Sequence, residues 1–113
     1  MGKVGRFVTD PKAGAYCHIT LDSGEKIVVN HDKGGFKGGT LAIETTKWWG
    51  GGGRIFACDL DSAEGRAALA RLTKDAPEGS AGATPLGALV EHVKDCASAE
   101  QVKAKCAALM SGR

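Results

Sequence analysis

The sequence predicts an α+β fold: a five-stranded antiparallel meander or small partly open β-barrel, followed by two or three short C-terminal helices packed on it. Three observations predict it. Apolar residues alternate with polar ones in short segments before residue 61. Glycine, proline and asparagine or aspartate punctuate those segments. After residue 61 the apolar spacing changes to that of amphipathic helices. Strands grouped ahead of helices argue against a parallel βαβ arrangement, and five short antiparallel strands curl readily into a barrel-like sheet.

The first predicted strand covers residues 4–9 and ends in a turn, 10–14, containing Pro11 and Gly14. The second, 15–21, puts Cys17, Ile19 and Leu21 on one face and Tyr16, His18 and Thr20 on the other. Asp22-Ser23-Gly24 reads as a three-residue hairpin loop with glycine in the left-handed position. A β-branched strand follows over 26–31, then a strand pattern over 40–49 and a largely apolar one over 54–60. Gly50–Gly53 interrupt the last two, because four side-chain-free residues are costly to order.

The helical part begins at Asp61, read as an N-cap with Glu64 three residues on, and runs to about Lys74. Residues 75–84 form a Pro/Gly/Ala linker. Thr84-Pro85 opens a second helix, with proline at the position where its missing N–H costs nothing. Leu86, Leu89, Val90, Val93 and Cys96 or Ala97 line its apolar face, and His92 falls at its surface or rim. Ser98 with Gln101 starts a third helix that buries Val102, Cys106, Leu109 and Met110. The expected organisation is one domain over 1–113, a β-meander over 1–60 and a helical part over 61–113.

A 113-residue chain hides enough surface for one core without staples, and 42% hydrophobic with 25% charged residues is ordinary globular composition. The net charge of +2 excludes a whole-molecule field toward nucleic acid or anionic membrane. No apolar run is long enough to span a bilayer, and the first nine residues lack the apolar stretch of a secretory signal. The four cysteines have neither the spacing of a zinc site nor the density of a secreted scaffold. The expectation is a cytoplasmic protein with reduced thiols serving as small core residues, with a Cys96–Cys106 bridge left open.

Chemistry is sought first between residues 33 and 54. This stretch holds eight of the 17 glycines, three of the six aromatic side chains and four cations against Glu44 alone. Glycine turns free backbone N–H groups for phosphate, cations add charge, and indoles stack on bases or sugars. The reading is a non-catalytic module for an anionic ligand, nucleic acid or a phosphate-bearing one, bound by Lys33, Phe36, Lys37, Trp48, Trp49 and Arg54. No phosphate-loop or dinucleotide fingerprint is present, and loops of this composition often serve only as connections.

Two other classes remain. A sheet edge or an Ala-rich helix face can serve a protein partner or a homodimer. A small thiol- or metal-dependent enzyme can be built on Cys17, His18 and His31, although strand alternation turns His18 away from Cys17.

Overall fold

A computed structural model describes residues 2–10, 14–33, 38–46 and 53–112. Five strands, β1 (Lys3–Asp10), β2 (Gly14–Thr20), β3 (Lys26–Asp32), β4 (Thr40–Thr46) and β5 (Arg54–Asp59), form one antiparallel sheet in sequence order. Three helices follow, α1 (Ala63–Thr73), α2 (Pro85–Val93) and α3 (Ala99–Ser111), with a 3₁₀ turn at Ala81–Ala83. The α+β arrangement expected from the sequence is therefore the one observed. Of the two forms expected, the open meander is the one observed: the order β1-β2-β3-β4-β5 leaves β1 and β5 as two separate edges, and the sheet is not closed.

The sheet stays open because its apolar face is covered by helices instead of by itself. Alternation places Cys17, Ile19, Ile27, Val29, Leu41, Ile43, Phe56 and Cys58 on that face, all buried. Tyr16, His18 and Ala57 on the opposite face are exposed. One contiguous core joins the inner strand residues to Ala68 of α1, Leu89, Val90 and Val93 of α2, and Val102, Cys106 and Leu109 of α3. Helix α2 lies against β2 and β3, while α1 and α3 lie against β5. Burying a side chain such as Leu89, fully hidden here, stabilises by about 1.5–3 kcal/mol.

Local signals set the helix boundaries. Thr84 caps α2, its hydroxyl accepting from the Gly87 N–H at 3.1 Å with Pro85 in the first turn. Ser98 caps α3 by accepting from the Gln101 N–H at 3.3 Å, and the Gln101 side chain accepts in return from the Ala97 N–H. The first helix begins one residue later than expected. Ser62, not Asp61, is the N-cap, accepting from Gly65 N–H at 2.9 Å. Asp61 is committed elsewhere: its carboxylate accepts from the Gly38 N–H at 2.8 Å and ties the connection before β4 to the start of α1.

The β2–β3 hairpin turns through Gly24 at φ +88°, the left-handed position anticipated for it. None of the three helices is long and apolar enough to cross a membrane, among the described residues.

Gly65 explains how closely α1 seats on the end of β5. A Cβ at this position would run into the Asp59 carbonyl oxygen. Alanine is favoured over glycine in a helix by about 1 kcal/mol, yet overpacking against backbone costs about 1–3 kcal/mol. Gly65→Ala is therefore expected to lower stability in urea denaturation; a more stable variant would show that α1 can lift off β5 freely.

His92 yields a second expectation. Burial, and then the Lys105 charge, push its pKa below the ordinary 6.5, with a backbone contact to Lys105 pulling the other way. The unfolded chain thus binds a proton at His92 at a higher pH than the folded one. The native state should lose stability as pH falls through 6.5, and His92→Gln should flatten that loss in thermal melts between pH 7.5 and pH 5.5. An unchanged slope would place the ring's titration outside the folding equilibrium.

Candidate functional site

Helix cover ends before the sheet does. No helix makes more than a marginal contact with β1, which packs chiefly on β2. Val4 stands opposite Ile19 and Phe7 opposite Cys17, so both side chains belong to the helix-covered face. At this edge, however, Val4 is 42% and Phe7 44% exposed. The register shifts between Val4 and Phe7, a bulge that breaks regular pairing, whereas Phe7 to Asp10 pair regularly with β2.

Beside Phe7 the uncovered strip deepens into a cleft of about 550 Å³ lined by Phe7, Thr9, Ala15, His31, Lys33 and the start of α2 at Pro85 and Leu86. That volume falls within the ~300–1,000 Å³ range of ligand pockets. Among the described residues no acidic side chain lines it, and Lys33, just past the end of β3, is its one flexible cation. Its floor is fixed from two sides. The His31 Nε2 lies 2.7 Å from the Gly38 carbonyl oxygen. A carbonyl only accepts, so Nε2 carries a hydrogen and donates it here. The β1–β2 connection returns through Gly14 at φ +110°, where a Cβ would run into the His31 carbonyl oxygen. Only glycine fits where β2 begins against the His31 backbone.

Of the six residues expected to form one anionic site, Lys33 and Arg54 lie among the described residues, and these two stand apart. Lys33 lines the cleft, following the Asp32 end of β3 that pairs with Thr40. Arg54 opens β5 opposite Glu44 and sits 3.6 Å from its carboxylate, both side chains about half exposed. Thr40 and Glu44 are four residues apart on β4, roughly 13 Å along a strand. Phe36, Lys37, Trp48 and Trp49 lie outside the described residues. The two glycine-rich connections enter β4 at Thr40 and leave it beyond Thr46, so an antiparallel meander attaches them at opposite ends of the strand.

The register separates only part of the thiol–imidazole constellation. Cys17 pairs with Val29, and His31 with Ala15. Both face the core, while His18 points to the other face and meets the Tyr16 ring edge-on at 5.6 Å. Burial pushes the Cys17 thiol above its usual pKa, the wrong direction for a thiolate nucleophile. Among the described residues no group of three His, Cys, Asp or Glu side chains is placed to hold a metal ion. All four cysteines are free and buried, so Cys96 and Cys106 are not bridged. Burial is also the main cause that pushes Cys106 up to about 12.

Sequence reading missed Phe7, Pro85 and Leu86 as site residues. Phe7 carried a usable signal, an aromatic ring in the first strand of a meander, where a sheet edge is expected. Which helix would stop short of that edge was not written in the local pattern.

The chain matches no family model, no curated protein and no solved structure.

Buried, proton-retaining thiols predict a simple chemical outcome. Iodoacetamide at pH 7.5 should modify all four cysteines slowly in the native protein and rapidly in denaturant. Rapid native alkylation of Cys17 alone would restore the nucleophile that the register argues against.

Proposed function

We propose that this protein is a non-catalytic binding module for an anionic partner, an extended acidic protein segment that adds to the sheet along β1. The observation that carries the reading is Phe7, an aromatic side chain on the core face of an edge strand, 44% exposed beside an apolar cleft. Strand addition supplies main-chain hydrogen bonds for affinity, and alternate side chains of the added strand find pockets for specificity. Here the pocket lies between Phe7, Ala15 and Leu86, on the face toward which every second side chain of the new strand would point. Lys33 at the same cleft favours a carboxylate on the segment. The bulge near Gly5 and the charges of Lys3 and Arg6 blunt the beginning of β1, which leaves Phe7 to Asp10 as the competent stretch.

A second copy of the chain is the alternative occupant, favoured by the exposure of Val4 together with Phe7 along one edge. Sedimentation equilibrium separates the two: a mass near 11.6 kDa keeps the edge free for a foreign segment, and one near twice that value assigns it to self-pairing.

The direct test is a ¹⁵N NMR titration with a capped ten-residue peptide alternating valine and glutamate. Amide shifts are expected in β1 and at Lys33, lost in Phe7→Asp. Because an exposed ion pair contributes about 0.2–1 kcal/mol, Lys33→Gln should weaken binding only about two- to five-fold. Failure of acidic, neutral and basic alternating peptides to move β1 amides would overturn the proposal. Salt-sensitive binding of a single-stranded oligonucleotide that leaves β1 unmoved would replace it with a nucleic-acid reading.

A further inference from the structure

The helical layer carries a second cleft, of about 600 Å³, lined by Arg71 and Leu72 of α1, Ala88, Glu91 and His92 of α2, and Lys105, Ala108 and Leu109 of α3. From this cleft we infer a separate site for a small phosphate-bearing ligand, held between Arg71 and Lys105 with His92 beside it.

The charge balance carries the inference. Among the described residues the cleft's one carboxylate, Glu91, is engaged at 2.6 Å by Lys94, the residue that caps the end of α2. Neither Arg71 nor Lys105 forms a salt bridge among the described residues. Two permanent cations on two different helices therefore line one concavity with their charge uncompensated. After burial, the Lys105 charge is the second cause that disfavours the protonated His92 ring, which puts this cation close to the ring in the cleft. The His92 Nε2 is hidden from solvent and has no well-aligned hydrogen-bond partner among the described residues, although the Lys105 backbone beside the ring favours its protonated form.

Arg71 is positioned, not loose. One of its N–H groups donates to the Leu109 carbonyl at 2.7 Å, near the end of α3, and its guanidinium lies close to Gly112. That anchor uses one of five donors and orients the planar fork, leaving donors suited to tetrahedral oxyanions. Lys105 is exposed and supplies a movable point charge opposite it. The groups that face the cleft are thus Arg71 from α1, Glu91 and His92 from α2, and Lys105 from α3. Burial is the first cause that disfavours protonated His92 and the Lys105 charge the second; a dianion placed among these groups offsets the second and adds a favourable charge of its own. Binding is then linked to proton uptake at His92 and strengthens as pH falls toward 6.

The test is an NMR titration of the His92 ring in the full chain, with inorganic phosphate as probe and sodium chloride at matched ionic strength as control. Phosphate is expected to raise the His92 midpoint by about one unit, with chloride leaving it within a few tenths. Lys105→Gln, a change at an exposed position, should raise the midpoint in the absence of phosphate and remove most of the phosphate-induced rise. Arg71→Lys should retain the fold and weaken phosphate binding several-fold by removing the fork. A midpoint that phosphate does not move would overturn the inference. An equal rise with chloride, or a phosphate response unchanged by Lys105→Gln, would show an adventitious ion only and overturn it as well. Because β1 and Phe7 take no part, this outcome is independent of strand addition at the sheet edge.

Discussion

One-sided burial governs this molecule. A five-stranded sheet with an alternating pattern has one apolar face, and three short helices bury it. That single contact layer supplies the hydrophobic driving force. It keeps the sheet open, because residues that closure would turn inward, such as Val29 and Ile43, are already packed under α1, α2 and α3. It also decides which groups are chemically quiet. Cys17, Cys58, Cys96 and Cys106 lie within or against the layer, and burial is the largest cause raising each thiol's pKa.

The connections are held to this layer by a few polar contacts. Asp61 binds the Gly38 N–H, and His31 binds the Gly38 carbonyl, so one glycine on the path into β4 is gripped from both sides. Gly14 lies over the His31 carbonyl. These contacts give the cleft beside Phe7 a fixed floor and back wall, although the strand that bounds it is otherwise an edge. The two clefts then arise where helix cover is incomplete: one beyond the start of α2, the other where α1, α2 and α3 diverge above the core. Their lining differs in kind. Among the described residues the first is apolar with one cation, and the second gathers side chains of both signs, with its cations outside any salt bridge.

The element types and most of their boundaries were legible in the sequence. The β2–β3 hairpin follows from alternation and Gly24, and α2 and α3 follow from Thr84-Pro85 and from Ser98 with Gln101. These signals are local, acting through backbone sterics and capping bonds between residues a few positions apart. The misplaced cap of α1 had a tertiary cause, since Asp61 and Ser62 are both competent caps and a contact with Gly38 drew Asp61 away.

The sequence by itself determined five strands, two or three helices after them, the buried face of β2 and the inertness expected of small core thiols. Only the tertiary structure decided that the sheet stays open, that β1 lies beyond the reach of the helices, and that Lys33 and Arg54 stand far apart along β4. It alone joined Arg71 to Lys105, 34 residues away in the chain. The physical reason is range. Alternation and capping act over a few residues, whereas uncovered surface and unpaired charge are fixed by which distant elements pack together and where their contact ends.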